Sequence, residues 1–406
     1  MILFPNGIPT VPESFEGYLD VGGYKVLQSS LTPELILDEI EGSGLRGRGG
    51  AGFPVARKWR IAAETPSDRR YVVCNAGEDE PGSFKDRVLL ERRPHLVLEG
   101  VILAARAIEA REAIIYINET YDRALERMSD AIEEARTQSL LGVAVRIHPA
   151  PTVYVAGEDS ACLEVIEGRK PWPRQKPPYP ATAGLFGKPT VVNNVETLAN
   201  VGFIVRHGAA WFRQYGTSES PGTMIFCLGE EVNRPGAYEL PIGTPMRHLL
   251  EDLGGGLKAR ARLKAVLPGG PSCAFLVGSQ LDVHLDPEAL KAAGSSLGCG
   301  VMRFYPEGAC MVEETLKIAQ FFARESCGQC PACRMETSML AAALERIQQG
   351  TALPALFDQF QKIIDFNRSK GYCALVNMPG PPILSALQLF RSDFEHHIQW
   401  GSCPSA

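Results

Sequence analysis

Three cysteines at two-residue spacing, Cys327, Cys330 and Cys333, sit in the run Glu-Ser-Cys-Gly-Gln-Cys-Pro-Ala-Cys-Arg, and a fourth, Cys373, follows far downstream in Gly-Tyr-Cys-Ala-Leu. A short loop with that spacing can present three thiolates to three corners of one [4Fe–4S] cube, and a remote cysteine can close the fourth. Such a chain has to bring a loop and a distant segment to one point. Zinc usually takes cysteines as two separated pairs. Three packed cysteines and one remote cysteine therefore fit a cube better than a zinc ion, and better than a set of reduced thiols with no metal.

The other seven cysteines, Cys74, Cys162, Cys227, Cys273, Cys299, Cys310 and Cys403, show no paired spacing and read most simply as buried thiols. An odd total of 11 argues against a full disulfide framework and for a reducing compartment. The 406 residues suggest two to three domains, and 45 % apolar with 22 % charged residues is an ordinary globular balance. A net charge of −6 gives no basic footprint for nucleic acid. No apolar run is long enough to span a bilayer, and the start lacks the basic and small-residue signals of a secretory leader.

Along the chain, residues 32–42 predict a helix started by Thr32 or Pro33 and ended by Gly42. Tyr71–Cys74 and Ala113–Ile117 predict buried strands, and 93–110 and 121–138 predict amphipathic helices. Strands alternating with helices imply an α/β layer with a mainly parallel sheet. From Gly168 to Pro189, Pro171, Pro173, Pro177, Pro178, Pro180 and Pro189 predict a long non-helical excursion, of the kind that is usually functional. Residues 223–310 read as a small α+β domain, with strands at 224–228 and 263–267. Helices are expected at 312–324, 334–349, 354–367 and 381–398, so the four spaced cysteines sit between helices of a small bundle.

A glycine-rich loop, Gly44-Leu-Arg-Gly-Arg-Gly-Gly-Ala-Gly-Phe-Pro54, joins the first helix to the next segment. Glycines allow positive φ and close approach, so successive N–H groups can point at a phosphate. Arg46, Arg48 and Lys58 add complementary charge, and the Arg, Phe and Trp content is unlike a flexible linker. The loop is neither a P-loop nor a clean dinucleotide fingerprint. Cys74-Asn-Ala-Gly-Glu-Asp-Glu-Pro-Gly82 sets acidic and amide side chains just after a strand, where open α/β sheets bind ligands. Taken by itself, this stretch has a solvated turn as its competing reading.

These segments together resemble the flavin-bearing, NADH-oxidising subunit of bacterial respiratory complex I, the family of NADH-quinone oxidoreductase F subunits. The same module occurs in the diaphorase subunits of NAD-linked hydrogenases and formate dehydrogenases. The resemblance runs from about Ser43 to Phe394 and rests on six blocks in one order: 44–54, 80–87, 156–161, 188–198, 325–334 and 373–375. It implies a Rossmann-like FMN-binding domain (1–222), a small ubiquitin-like α+β domain (223–311) and a C-terminal helical bundle (312–406) with the cluster. It implies FMN, NADH and one [4Fe–4S] cluster held by Cys327, Cys330, Cys333 and Cys373. Flavin contacts are implied for Gly47, Arg48, Gly49, Gly50, Lys58, Asn75, Glu78, Gly157, Glu158, Asp159, Val192, Asn193, Asn194 and Thr197. Phe53, Glu80, Lys176 and Tyr179 would line the NADH site, with Glu80 and Glu158 the nearest candidates for a catalytic part beside the flavin.

Three departures from the family pattern stand out. Gly77 stands where the family has an acid, and Asp79 appears two residues on. The family's Gly-Glu-Glu turn is Gly157-Glu158-Asp159, one methylene shorter. Arg60 follows Lys58-Trp59 where an aromatic is usual. The resemblance further implies docking onto a small thioredoxin-like [2Fe–2S] subunit and a larger multi-cluster subunit, on the cytoplasmic side of the membrane. The competing readings are a formate dehydrogenase or hydrogenase diaphorase, and a non-catalytic scaffold that keeps only the cluster. The seven histidines form no evident metal set, and His396-His397 near a helix end reads as a solvated or dipole-favoured pair.

Overall fold

Tyr71–Ala76 forms strand β1, two residues longer than the run picked out in the sequence. In the computed structural model, which describes residues 1–403, β1 lies in a four-stranded sheet with Glu112–Asn118 (β2), Ala144–Ala150 (β3) and Thr190–Asn194 (β4). The order is β3-β2-β1-β4, and all three ladders are parallel: Cys74 sits opposite Ile115 on one side and Asn193 on the other. Successive residues point to opposite faces. Val72, Cys74, Ala76, Ile115, Ile117 and Val191 join one apolar cluster, while Tyr71, Val73, Ile114, Tyr116 and Val192 join another. That alternation marks a sheet covered on both faces. The first face carries residues from the helices Pro94–Ala107, Asp122–Thr137 and Val195–His207; the second carries Cys162, Leu163 and Ile166 of the helix Asp159–Ile166. Each fully buried isoleucine contributes about 1.5–3 kcal/mol relative to exposure.

The chain lays down β1, β2 and β3 outward on one side, then returns with β4 on the other side of β1. In open α/β sheets such a reversal is where a ligand crevice forms, and here that place is the carboxyl ends of β1 and β4. Asn75-Ala76 end β1, and Asn193-Asn194 end β4.

The structure corrects several expectations. The helix expected at 32–42 is Pro33–Ser43 and is preceded by the helix Phe15–Asp20: Thr32 Oγ1 accepts from Leu35 N–H at 3.3 Å, and the stop is Gly44 at φ 69°, not Gly42. A left-handed residue at that point ends the helix, and glycine takes it without strain. The proline-rich excursion is not wholly irregular, because Pro180–Ala183 is a short helix with Pro180 at its first position, where no N–H is needed.

The chain divides into two compact units, Met1–Cys227 with Ala237–Thr244, and Leu228–Gly236 with the residues from Pro245 onward. Thr223–Leu228 (β5) pairs with Gly236–Pro241 (β6). In the second unit Leu263–Leu267 (β7) is antiparallel to both Leu276–Val277 (β8) and Val301–Pro306 (β9). Helices follow at Met311–Glu325, Pro331–Gln348, Phe357–Asn367, Gly380–Leu389 and Arg391–Trp400. The single helix expected at 381–398 is thus two, broken at Phe390 (φ −120°, ψ 32°), whose buried ring packs edge-on against Phe275. Residues 354–356 form a 3-10 turn ahead of the third helix. Cys299, Cys310 and Cys403 are half-buried, not fully buried like Cys74, Cys162, Cys227 and Cys273. Among the described residues no helix is long and apolar enough to cross a membrane.

Candidate functional site

The glycine-rich loop is a narrow hairpin. Arg46 and Pro54 form an antiparallel bridge, Gly47 N–H donates to Phe53 C=O at 2.9 Å, and Val55 N–H donates to Leu45 C=O at 3.0 Å. At its tip Gly50 (φ 107°) and Gly52 (φ 60°) would carry a Cβ into open space, with nothing within 4 Å. The tip backbone is therefore approachable, in conformations that only glycine takes readily. At Gly49 a Cβ would come 3.1 Å from Asn194 Cβ, so the loop leans on the end of β4 at the crevice.

The cations divide. Arg48 is 3 % exposed: its N–H donates to Thr197 Oγ1 (2.8 Å), its Nε to Thr223 C=O (3.1 Å) and its Nη2 to Pro221 C=O (2.9 Å). Burial lowers its pKa to about 10, with Glu196 opposing. The guanidinium points into the fold, so the expected phosphate charge at Arg48 is corrected to an anchor of the loop. Arg46 Nε likewise holds Gly52 C=O at 2.9 Å. Lys58 Nζ donates to Val192 C=O at 2.8 Å; burial lowers its pKa and Asp159 opposes that.

The turn after β1 is braced from within. Asn75 Nδ2 donates to Gly157 C=O at 2.8 Å and its Oδ1 accepts from Gly77 N–H at 3.1 Å. A Cβ on Gly157 would meet Gly77 C=O at 2.8 Å, and one on Gly77 would meet Tyr116 Cε1 at 3.0 Å. The departure at Gly77 thus suits close packing, since any side chain there would require the Tyr116 ring to shift by a few tenths of an ångström. Asp79 accepts from Asn118 Nδ2 at 2.9 Å. Glu78 is turned inward: Oε1 accepts from Ser83 Oγ (2.5 Å) and Asp86 N–H (3.1 Å), and Oε2 from Arg87 N–H (3.1 Å), at the start of the helix Lys85–Arg92. Burial, then Asp86, pushes its pKa up to about 7. Glu80 differs. Tyr154 hydrogen-bonds its carboxyl, yet Oε1 is buried with no partner, and burial raises the pKa to about 7.

Glu158 caps the helix Asp159–Ile166 through Oε2, accepting from Ser160 N–H (3.0 Å) and Ala161 N–H (2.8 Å), while Oε1 accepts from Lys176 Nζ at 2.5 Å. Asp159 also accepts from Lys176. Burial and the adjacent Asp159 raise the Glu158 pKa, with Lys176 opposing. These ion pairs fasten the proline-rich segment to the helix start. Phe53 and Tyr179 are 42 % and 60 % exposed. Asn193 Oδ1 accepts from Trp59 Nε1 at 2.8 Å, and Asn194 Oδ1 accepts from Lys85 Nζ (3.1 Å) and from Glu196 N–H (3.0 Å), capping the helix Val195–His207. Arg60, the third departure, faces away and pairs with Glu34, Asp38 and Glu41. An open glycine backbone, one lysine and an orphaned carboxyl oxygen around the crevice fit an anionic mononucleotide with ribose hydroxyls nearby.

In the second unit Cys330 is the N-cap of the helix Pro331–Gln348 and Cys333 stands in its first turn, where the helix dipole favours thiolates. Tyr372 N–H donates to Cys330 Sγ at 3.3 Å, which brings the Cys373 segment alongside. Ser326 Oγ lies 3.4 Å from Cys333 Sγ. Burial pushes the Cys333 thiol up to about 11; Ser326 lowers it, and Cys330 and Cys327 raise it again. Among the described residues, no three of these four sulfurs fall within 4.8 Å of one another. The preference for a cube over a single zinc rests on the spacing of the three cysteines and the one remote cysteine.

Two features were not anticipated. Lys85, Asp86 and Glu196 form a buried charge cluster, with Lys85 Nζ 2.7 Å from Asp86 Oδ1 and 3.0 Å from Glu196 Oε2. Glu336 is fully buried one turn beyond Cys333, and neither carboxyl oxygen has a hydrogen-bond partner. Its signal was present in the sequence: an acid on the stripe Cys333, Glu336, Thr337, Leu340 of an otherwise uncharged helix face.

Comparison with known proteins supplies the family. The Nuo51 FMN-binding domain matches residues 40–202, the SLBB domain residues 224–276, and the NADH-ubiquinone oxidoreductase-F iron–sulfur binding region residues 313–397. The chain is similar to the second NADH-quinone oxidoreductase F subunit of Rhizobium meliloti, 41 % identical over 395 residues and 94 % of each chain. It is also similar to the NADP-reducing hydrogenase subunit HndC of Solidesulfovibrio fructosivorans, 37 % identical over 97 % of this chain and 82 % of that one. A crystal structure of NAD+-reducing [NiFe]-hydrogenase in the H2-reduced state superposes with a TM-score of 0.87 at 36 % identity, over 98 % of this chain and 67 % of the other. The chain belongs to the family of NADH-quinone oxidoreductase F subunits, as an NADH-oxidising flavoprotein whose cofactors are FMN and a [4Fe–4S] cluster.

Proposed function

We propose that this chain is the NADH-oxidising module of a respiratory complex I, with the flavin seated at the crevice between β1 and β4. The observation that carries this reading is the set of groups around that crevice: open backbone at Gly50 and Gly52, Lys58 Nζ beside β4, and the unpartnered Glu80 Oε1. FMN held there would supply the link between the two-electron hydride chemistry of NADH and the one-electron chemistry of an iron–sulfur centre. The loop backbone receives the flavin phosphate, and Gly49 keeps the loop close to Asn194. Arg48, Thr197, Asn75 and Asn194 hold the surrounding turns in place through the bonds given above. Phe53 and Tyr179 offer exposed rings for the nicotinamide dinucleotide to stack on, and Glu158 with Lys176 sets the position of the segment bearing Tyr179. Glu80 bonds a ribose hydroxyl and, once ionised, disfavours a 2′-phosphate. Cys327, Cys330, Cys333 and Cys373 ligate the cluster.

The division into 1–222, 223–311 and 312–406 is part of the same reading, supported by the separate domain matches at 40–202, 224–276 and 313–397. Within the assembly the helical C-terminal region docks on a small [2Fe–2S] thioredoxin-like subunit and a larger multi-cluster subunit, on the cytoplasmic side of the membrane. The likeness to HndC and to the hydrogenase structure favours one second reading, a diaphorase subunit of an NAD-linked hydrogenase or formate dehydrogenase. Affinity capture from native membranes and cytosol separates them. Recovery with membrane-bound subunits supports complex I, and recovery with a nickel–iron or molybdenum subunit supports the diaphorase. A free monomer that sustains full turnover with its physiological acceptor would refute both.

A further inference from the structure

Cys310, His397 and Cys403 lie apart in sequence from the four cluster cysteines, and none of the roles above uses them. Their ligand atoms all fall within 4.8 Å of one another, and Cys310 Sγ is 3.2 Å from His397 Nε2. His397 is buried in the last turn of the helix Arg391–Trp400, so of the two readings of His396-His397 the solvated one is corrected for His397 and the helix-end one fits its place. Its Nδ1 lies 3.3 Å from Gln348 C=O. A carbonyl only accepts, so Nδ1 carries the proton and the Nε2 lone pair faces the thiols. That is the arrangement by which an outer carbonyl orients a metal-binding imidazole.

Each thiol is delivered by its own device. Cys310 is the N-cap of the helix Met311–Glu325, and its Sγ accepts from Glu313 N–H at 3.4 Å, which fixes the direction of the thiol. Cys403 follows the helix Arg391–Trp400, which stops at Gly401 in the left-handed conformation (φ 67°). His396 Nδ1 then bonds Ser402 C=O at 2.7 Å and holds the turned-back chain one residue short of Cys403.

We propose that Cys310, His397 and Cys403 bind one zinc ion, which clips the segment after the helix Arg391–Trp400 to the start of the helix Met311–Glu325. Two thiolates and one imidazole suit zinc and disfavour magnesium or calcium. Both cysteines are half-buried, so solvent can fill a fourth tetrahedral position. Binding is acid–base only: two thiol protons leave to solvent as two Zn–S bonds form, and nothing is oxidised.

The test uses the full chain with its flavin and cluster, purified anaerobically. It is dialysed against buffered Zn2+ and desalted, and zinc, iron and flavin are then measured by elemental analysis and absorbance. Cys403→Ala and His397→Gln are compared with the parent, and retained iron and flavin report an intact fold. The expected result is about one zinc per chain in the parent and at least a tenfold loss in Cys403→Ala, with iron and flavin unchanged. Zinc should also shield Cys403 from alkylation, and a chelator should expose it. Equal zinc in the parent and Cys403→Ala overturns the proposal. So does a Cys310–Cys403 disulfide found by mass spectrometry in the anaerobic protein.

Discussion

Gly49 has the least steric room of the loop residues that face the crevice, because its missing Cβ would already stand 3.1 Å from Asn194. Gly49→Val should push the hairpin off β4 and abolish flavin binding while cluster iron is retained. Flavin released on denaturation measures this, and normal flavin content would contradict the placement. Glu80 gives a pH-dependent prediction. Burial raises its pKa from 4.5 to about 7 in the folded chain. The folded state therefore holds a proton that the unfolded chain sheds, and this contribution to stability, complete below about pH 4.5, is lost as pH rises through about 7. Glu80→Gln should raise the melting temperature at pH 8 and change it little at pH 5, by an amount equivalent to at most about 3 kcal/mol. An equal shift at both pH values would contradict the buried, proton-holding carboxyl. At this scale the cysteines were legible because metal chemistry fixes their spacing in sequence. The direction of Arg48 was not, because the carbonyls of Pro221 and Thr223 that capture it lie far along the chain.

Among the elements, the helix Lys85–Arg92 starts on a buried ion cluster. Burial alone would lower the Lys85 pKa, but Asp86 and Glu196 outweigh it and raise the value well above the usual lysine range. Lys85→Met leaves two buried carboxylates without their cation, so chemical denaturation should show a loss of about 3–5 kcal/mol. A loss under about 1 kcal/mol would mean the cluster is not charged as drawn. The helix Pro331–Gln348 carries two cluster ligands at its start, and Cys330→Ala should lose iron and sulfide while keeping FMN. Stoichiometric zinc at Cys327, Cys333 and Cys373 in anaerobically purified protein would defeat the cube. Strands β1 and β2 were legible as short β-rich runs buried on both sides. Strand β3 was not, because Arg146, His148 and Pro149 interrupt its apolar residues at the sheet edge. The break at Phe390 escaped because the apolar period carries straight across it, and only the contact with Phe275 distinguishes one helix from two.

For the molecule as a whole, the alternation of strands and helices was enough to foresee a parallel sheet, and it was the return of β4 beside β1 that turned scattered motifs into one crevice. That return could not be read from periodicity, since β4 lies within the Lys-Pro-Thr-Val-Val-Asn-Asn block, which was visible as a motif and not as a strand. The two units divide the chemistry as well: the glycine-rich loop and the residues around β1 and β4 belong to the first, and the four cluster cysteines to the second. The central claim is that one chain takes a hydride from NADH at the first and passes single electrons to the second. An anaerobic titration of the intact flavin- and iron-loaded protein with NADH tests it most directly, following flavin absorbance together with the electron paramagnetic resonance of the cluster. The account predicts that the flavin bleaches, that a reduced-cluster signal grows, and that NADPH achieves this less efficiently. A flavin that stays oxidised in excess NADH, with FMN and iron both present in full, would contradict it.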